Sequence, residues 1–221
     1  MDEMYFDTGS EIKDRILNNS IELFRTRGIK NVSTEMIASE CGISKKTLYE
    51  TFESKEQMVN EIIKYSETML DLHWEKIHSK ITNNPDVDFI ELFHQLMHIV
   101  NKIFYVMSTP FLTDLKKLYP HIWNDLREYR RQRIKNYFGV LFEIGQKAGF
   151  IRADISPDLA YFIHYFTIDN ILTPEIISEI PLSGNDIIEG VLKILMTGLL
   201  TEKGVQTHET FCKQNAKKER K

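Results

Sequence analysis

Lysine, serine, threonine and tyrosine side chains cluster between residues 33 and 55, where they offer hydrogen-bond donors and positive charge. The run Ser44 to Thr51 reads S-K-K-T-L-Y-E-T, and Lys55 follows four residues later. Lysine can bind a phosphate or donate to guanine, and threonine can hydrogen-bond a base or contact a thymine methyl group. This chemistry predicts recognition of a nucleic acid if the side chains share one exposed face.

Two short helices joined by a tight turn are needed to position these side chains. Ser33 can cap the first helix and Ser44 the second, because a serine oxygen accepts a backbone N–H of the first turn. Gly42 suits the left-handed conformation that ends a helix. Leu48 and Phe52 are four residues apart and share an inward face, which leaves the polar residues outward. The segment predicts a helix-turn-helix, which places its second helix in the DNA major groove.

A continuous segment of about 45 residues resembles the N-terminal domain of TetR-family transcriptional regulators. The resemblance rests on R-I-L-N-N-S-I-E-L-F-R-T-R-G from Arg15, S-T-E-M-I-A from Ser33, and C-G-I-S-K-K-T-L-Y-E-T-F-E-S-K-E from Cys41. It covers only about the first quarter of the chain. It implies that DNA is contacted from the recognition helix and from the starts of the two neighbouring helices. The implied DNA-binding residues are Ser33, Thr34, Ser44, Lys45, Lys46, Thr47, Tyr49, Thr51 and Lys55.

The charge of this segment is unusual for a DNA-binding domain. The first 57 residues carry eight basic and eleven acidic side chains, and the whole chain has a formal net charge of −4. Because non-specific affinity comes mainly from phosphate neutralisation, we expect it to be modest here. Glu50 departs from a phosphate-binding face, since its carboxylate repels phosphate unless it accepts from a cytosine amino group or points away. Binding therefore depends on the local placement of Lys45, Lys46 and Lys55.

Composition and helical periodicity predict an all-α protein with about nine helices. The 221 residues are 42% hydrophobic and 27% charged, as is ordinary for a globular protein. No apolar run is long enough to span a membrane, and the acidic N-terminus does not resemble a signal peptide. We therefore expect a cytoplasmic protein in which Cys41 and Cys212 are free thiols, with a redox-sensing pair as the alternative.

The predicted helices fall into two domains followed by a tail. Residues 1–54 form the helix-turn-helix domain, and residues 55–204 form a helical domain for effector binding and dimerisation. Residues 205–221 are expected to be a disordered, polar and basic tail. Pro174 and Pro181 predict an irregular or broken segment between the last two helices. The helices beyond the first three are expected at about 55–81 and 89–107, then as a short helix that starts at Thr109-Pro110, and at about 120–147, 157–172 and 184–201.

Aromatic residues crowd the middle of the second domain. Most must belong to an ordinary core, but aromatics with a few polar partners also suit a largely apolar ligand cavity. The family resemblance implies a small effector bound among helices four to eight. The predicted lining residues are His98, Tyr105, Trp123, Tyr137, Phe162 and Tyr165.

Two other clusters have alternative interpretations. His94 and His98 share a helix face and, with His164, could suggest a metal site, but this spacing alone is weak and polar pocket or core positions are favoured. No metal or cofactor is predicted. A basic cluster on the seventh helix indicates a solvated face, with an acidic effector as the minor alternative. Its members are Arg127, Arg130, Arg131, Arg133 and Lys135.

The last predicted helix is apolar on more than one side, which favours packing against its own domain and against a partner. Ile187, Val191 and Leu195 are the predicted contacts, and the resemblance implies a four-helix dimer interface shared with helix eight. A two-fold dimer predicts a near-palindromic DNA operator.

The sequence thus predicts a homodimeric, DNA-binding transcriptional regulator, a repressor that a small and largely apolar effector releases from its operator. A helical enzyme is disfavoured because no nucleophile–base pair or paired carboxylates can be placed. A helix-turn-helix module that binds another protein, without an effector, stays open because of the acidic balance.

Overall fold

Eleven helices make up the part of the chain that the computed structural model describes, which is the backbone of residues 6–84, 88–170, 173–182 and 184–218. Side chains 100, 101, 104, 105, 134, 168, 174, 178, 184, 185, 188, 189 and 211–218 lie outside that description. Helices α1 to α6 are Glu11–Arg27, Thr34–Glu40, Lys45–Thr51, Lys55–Asn83, Phe89–Val106 and Thr109–Leu118. Helices α7 to α11 are Pro120–Lys147, Pro157–Asn170, Pro174–Glu179, Gly184–Leu199 and Glu202–Lys218. The all-α prediction is confirmed.

Helices α1 to α3 form a unit that we call the head, and α4 to α11 form the body. Serine caps start three helices, at Ser33 and Ser44 as predicted and also at Ser54. Each serine oxygen accepts from the backbone N–H three residues further on, at 3.2, 3.0 and 3.1 Å. Gly42 has φ 63°, so the turn between α2 and α3 uses the left-handed region that glycine tolerates. Local sequence therefore sets both the start and the direction of α3.

The hydrophobic core of the head does not stop at residue 54. The buried cluster that contains α1 to α3 continues into the first turns of α4, the whole of α6 and the start of α7. Its members from these body helices include Met58, Val59, Ile62, Phe111, Leu115 and Trp123. Cys41 is a buried free thiol in the same cluster, and the side chain of Cys212 lies outside the described residues.

Two hydrogen bonds connect α6 to the end of α1 and to the segment that follows it. The Ser108 hydroxyl donates to the Arg25 carbonyl at 2.7 Å, and the Lys30 amide donates to Asp114 Oδ2 at 2.7 Å. Gly28, which ends α1 with φ 76°, lies so close that a Cβ there would be 2.5 Å from the same Asp114 oxygen. A side chain at residue 28 would displace the Asp114 carboxylate that accepts from the Lys30 amide.

A second buried cluster fills the body around the later turns of α4 and α7. It is built mainly by α5 and α7, with Ile151, Ala160 and Leu200 contributed by later segments. Within the described chain, no helix is both long enough and apolar enough to cross a bilayer.

The structure refines one prediction about the C-terminal part and contradicts another. The segment expected to be irregular or broken contains the short helix α9, because Pro174 stands at the first helical turn, where its missing N–H costs nothing, and Ile177 is buried beside Ile187. The tail expected to be disordered from residue 205 is helical through Lys218 as α11.

Docking on the body explains why α11 forms in spite of its polar composition. The Thr201 amide donates to the Phe150 carbonyl at 2.9 Å, and Gly204 packs against that carbonyl so closely that a Cβ would clash. The His208 ring stacks on the His94 ring of α5 at 4.9 Å between centroids. Composition alone predicts no helix here, because these contacts are tertiary.

Candidate nucleic-acid interface and ligand cavity

The outer face of α3 carries the exposed polar side chains that the sequence placed there. The Lys46 side chain is 86% exposed, and Tyr49 is half-exposed. The Tyr49 hydroxyl lies 3.0 Å from the Thr34 hydroxyl at the first residue of α2, so the two helices present a joint polar edge. Leu48 is fully buried on the opposite side of α3 and anchors it to the head core.

Four of the predicted DNA-binding hydroxyls are engaged within the head. Ser33 and Ser44 serve as helix caps, and the Ser44 and Thr47 hydroxyls lie 2.9 Å apart. The Thr51 hydroxyl donates to the Thr47 carbonyl at 2.9 Å. Any DNA contact made by these residues has to share an oxygen that already bonds within α2 or α3.

Carboxylates accompany both lysines at the start of α3. Lys45 is paired with Glu35 of α2, and Lys46 lies 3.8 Å from Glu50 one turn along α3. The hydrogen bond from Lys45 is the main cause that lowers the pKa of Glu35 to about 2. Because both pairs are exposed, they contribute little stability and a phosphate can compete for the lysines. The charge pattern limits non-specific attraction without blocking the face.

Lys55 is not the free cation that the sequence suggested. Its ammonium group donates to the Ile29 and Val32 carbonyls at 2.8 and 2.9 Å and so ties the segment after α1 to the start of α4. Burial lowers the pKa of Lys55. Two of its three N–H donors are thereby used inside the head, so the first role of Lys55 is to stabilise the head.

The body encloses a cavity of about 160 Å³ between α4, α5, α7, α8 and α10. Its wall is mainly apolar, with Phe89, Phe93 and Leu96 from α5, and with Met196 from α10 on another side. Such a cavity, apolar with a few polar groups, is the usual form of a small-molecule site.

Among the predicted lining residues whose side chains are described, only Tyr137 is found in the cavity wall. His98 is exposed on α5, and Trp123 is buried in the head-side cluster, because the start of α7 packs on α6 rather than on α5. Phe162 is 52% exposed, and neither it nor Tyr165 lines the cavity, since both lie on a face of α8 turned away from it. The side chain of Tyr105 lies outside the described residues.

A hydrogen-bonded cluster centred on Asp71 joins α4 to α7 at the edge of the cavity. The Tyr129 and Tyr137 hydroxyls donate to Asp71 Oδ1 at 2.8 and 2.6 Å, and Arg133 donates to Oδ2 at 2.7 Å. Burial, reinforced by the Asp71 carboxylate, raises the pKa of both tyrosines. Both hydroxyls therefore stay protonated and act as donors.

Three further polar groups reach the cavity itself. Glu67 is only 8% exposed; its Oε2 accepts from Lys64 at 2.8 Å, whereas its Oε1 is buried. Burial lowers the pKa of Arg130 to about 10, with the nearby charges of Asp169 and Glu67 opposing that shift. Burial also lowers the pKa of His164 to about 4, so its ring is neutral at physiological pH.

The basic cluster of α7 is divided between surface and interior, which corrects the prediction of one solvated face. Arg131 is exposed and paired with Glu128, and Arg127 is paired with Asp169 of α8. Arg130 and Arg133 instead line the cavity.

A sequence signal for this inner face did exist. Residues 129, 133 and 137 recur every four positions and so share a stripe with Leu126 and Leu141, which marks them as inward facing. No comparable signal marks Glu67, which stands in a charged run of α4.

The histidines do not assemble a metal site. His94 stacks on His208, and His164 packs against Phe138 at 5.3 Å between ring centroids. Among the described residues, no group of three or more histidine, cysteine, aspartate or glutamate side chains could hold a metal ion.

The apolar face available to a partner lies on α8 more than on the predicted positions of α10. Ile187 is 4% exposed and packs within its own chain against Ile177, so it cannot be an exposed contact, which corrects that prediction. Val191 and Leu195 are half-buried, whereas Ile194 is 74% exposed. On α8, the stripe formed by Leu159, Phe162, Ile163 and Phe166 is 50–57% exposed.

Comparison with known proteins extends the likeness from the head to the body. Residues 16–62 match the model of bacterial regulatory proteins of the tetR family. The HTH-type transcriptional regulator YvaF of Bacillus subtilis is 22% identical over 85% of this chain and 95% of its own. The HTH-type transcriptional repressor KstR2 of Mycolicibacterium smegmatis is 26% identical over 67% of this chain and 72% of its own.

A solved structure shows the same architecture. A TetR-family regulator from Marinobacter aquaeolei superposes with a TM-score of 0.63 at 21% identity, covering 91% of this chain and 99% of that one. The likeness therefore includes the helical body as well as the head. The relatives are transcriptional regulators rather than enzymes. Residues 16–62 thus match the tetR family model, and the described chain has the fold of a solved TetR-family regulator.

Proposed function

We propose that this protein is a homodimeric repressor that binds a near-palindromic DNA operator through α3 and leaves it when a small, largely apolar effector fills the cavity. The observation that carries the proposal is the course of α4. Its first turns, at Met58 and Ile62, belong to the head core, and its later turns, at Glu67 and Leu70, line the cavity. A molecule that displaces this helix at one end moves the head at the other.

The predicted DNA contacts rest on Lys46, Tyr49 and Thr34, with Lys45, Ser44 and Thr47 at the start of α3 beside them. These side chains are on the exposed edge of the head, and the first turn of a recognition helix is the part that reaches base edges. Ser33, Thr51 and Lys55 stay predictions of weaker standing, because their polar groups bind within the head and they lie outside the first turn of α3.

Dimerisation is supported by the exposed stripe on α8. Leu159, Phe162, Ile163 and Phe166 follow the spacing of one helix face, and Ile194 adds an exposed apolar side chain on α10. An apolar stripe of this kind is expected at a protein contact. A two-fold interface through α8 and α10 would hold two recognition helices at a fixed spacing.

The mechanism we propose is a shift between two populated conformations. An effector that binds better when the two α3 helices are wrongly spaced lowers the population able to bind DNA. The direct fastening of α6 to α1, through Asp114 and Ser108, gives the body a second connection to the head. Repression agrees with the relative KstR2, which is named a transcriptional repressor.

The test begins with selection of bound duplexes from a random DNA library by the purified protein. We expect a selected site with two-fold symmetry, a footprint of two half-sites about one helical turn apart, and sedimentation of the free protein as a dimer. A selected site without symmetry, or a monomer at micromolar concentration, would contradict the proposal.

A second function is favoured by the pairing of Lys45 and Lys46 with carboxylates, which suits a head that binds another protein. In that case no DNA would be selected, and a complex with the protein partner would form with little dependence on salt. The selection experiment therefore separates the two functions.

A further inference from the structure

Two buried polar atoms in the cavity wall have no hydrogen-bond partner among the described residues. They are Glu67 Oε1 on α4 and His164 Nδ1 on α8, and both residues line the same cavity. A buried polar atom without a partner costs free energy, so its presence in a folded protein calls for a partner that the described part of the chain does not supply. A ligand in the cavity can supply it.

The chemistry of Glu67 defines what that ligand must offer. Its Oε2 is ion-paired with Lys64 at 2.8 Å, and a carboxylate accepts hydrogen bonds but donates none. The partner of Oε1 is therefore a donor, such as O–H or N–H. A ligand whose only polar group is an ether or a ketone leaves this oxygen unpaired.

The charges around the cavity favour a neutral donor. The Glu67 carboxylate opposes an anionic ligand group such as a fatty-acid carboxylate. Arg130 and Arg133 line the same wall and oppose an ammonium group. A hydroxyl carries no charge, donates one hydrogen bond and accepts others, so it suits a wall with both an acceptor and cationic donors.

We propose that the cavity selects a neutral, largely apolar molecule carrying a hydroxyl group, which donates to Glu67 Oε1. This inference rests on the effector function proposed above and narrows its ligand class. His164, with a neutral ring, offers the second hydrogen-bonding position, so a molecule with another polar group within reach of α8 gains a further bond.

The test compares four probes, each with eight carbon atoms, by isothermal titration calorimetry on the full chain. The probes are 1-octanol, its isomer 1-methoxyheptane, octanoate and octylammonium. The first two have the same atoms and no charge, and only the alcohol donates a hydrogen bond. We expect 1-octanol to bind about tenfold tighter than 1-methoxyheptane and tighter than either ion.

The variant Glu67→Gln keeps the side-chain volume but gives the site an amide N–H that donates to an ether oxygen. We expect the preference for the alcohol over the ether to fall to about twofold and octanoate to gain affinity. The control is Glu128→Gln, which removes the same charge from an exposed i,i+3 ion pair on α7 and should leave all four affinities unchanged. Circular dichroism confirms that each variant is folded.

The outcomes separate the two proposals. Tighter binding of octanoate, octylammonium or the ether by the native protein overturns the hydroxyl inference and leaves an effector cavity in place. An unaltered preference in folded Glu67→Gln does the same. If Glu67→Gln does not fold, the ranking of the four probes on the native protein still tests the hydroxyl inference. If no probe binds, the apolar-effector proposal itself fails, while DNA selection still tests the DNA-binding part.

Discussion

The head and the cavity of the body differ in how far apart along the chain their interacting residues lie. In the head, Ser33 and Ser44 accept hydrogen bonds from backbone groups only three residues away. In the body, Tyr129 bonds the Glu67 carbonyl across 62 residues, and Tyr137 bonds Asp71 across 66. The head is thus built from contacts that a short segment contains, and the cavity from contacts that exist only after α4 and α7 have met.

This difference affects how each region responds to substitution. Removing a local cap destabilises one end of one helix. Removing one member of a long-range cluster leaves several buried polar groups without a hydrogen-bond partner. The same difference separates the two activities that we propose. DNA contact uses the exposed edge of a local motif in the head, and effector binding uses the interior of the body. The experiments below test that division, beginning with the largest expected effect.

The double variant Lys46→Ala and Tyr49→Ala removes two exposed side chains of α3 without touching the body. Each specific contact to a base contributes about 1–3 kcal/mol, and a dimer makes each contact twice, so operator affinity should fall at least about 100-fold. Fluorescence anisotropy on the selected operator measures this loss. Lys147→Ala, an exposed lysine at the far end of α7, should bind as the native protein does. Unaltered affinity in the double variant would show that Lys46 and Tyr49 of α3 are not part of the DNA interface.

Acidification should weaken the body before the head. His164 binds a proton in the unfolded chain below pH 6.5, but burial lowers its pKa to about 4 in the folded one. The unfolded state therefore holds more protons between these values, and stability is lost as pH falls from 6.5 to 4, by about 3 kcal/mol at most. Glu35 of the head, with its pKa lowered to about 2, loses its stabilising effect only below pH 4.5.

Urea unfolding between pH 7 and pH 4 measures this dependence, and His164→Leu provides the comparison. We expect the variant to lose much less stability over that interval, because it has no imidazole to protonate. An equal loss in the native protein and in His164→Leu would place the acid-sensitive group elsewhere.

Asp71→Ala tests the long-range cluster against a local cap. The substitution leaves the Tyr129 and Tyr137 hydroxyls without their acceptor, and we expect about 2 kcal/mol of destabilisation. Ser44→Ala removes one N-cap and should cost about 1 kcal/mol. Thermal unfolding of the two variants compares them directly. A larger loss for Ser44→Ala would show that the body is less dependent on its polar cluster than its contacts indicate.

Glu50→Gln should give the smallest effect and the opposite sign. It removes the carboxylate that lies 3.8 Å from Lys46, so operator affinity should rise about threefold, and the gain should shrink as salt increases. Glu53→Gln, which follows α3, serves as the control. Weaker binding by Glu50→Gln would mean that Glu50 accepts from a base, as a carboxylate can from the cytosine amino group.

Much of the fold was predictable because the residues that start and end its helices act locally. Capping serines, helix-ending glycines and prolines at first turns each act on residues within one turn. They predicted the starts of α2, α3 and α6 and, to within a few residues, both ends of α4, α5, α7, α8 and α10. The failures lie where tertiary contact outweighs composition: α9 forms around buried Ile177, and α11 forms because Gly204 and His208 dock on the body.

The candidate cavity was less predictable than the recognition helix for a related reason. Aromatic residues on α5, α7 and α8 look equivalent in the sequence, and only the crossing of the helices decides which of them face inward. Trp123 and Tyr137 are on the same helix, yet α6 covers the first and α4 covers the second. Periodicity indicates a face, and it does not indicate which neighbour that face meets.

The sequence by itself determined the helix-turn-helix, the outward direction of Lys46 and Tyr49, and the all-α character of the chain, since caps, turns and 3.6-residue periodicity act over short distances. Only the tertiary structure decided that Lys55 bonds two carbonyls of the head and that α8 carries the exposed stripe. It also decided that Glu67 and His164 meet one cavity. These features depend on groups far apart in the chain, whose partners are fixed by how whole helices pack.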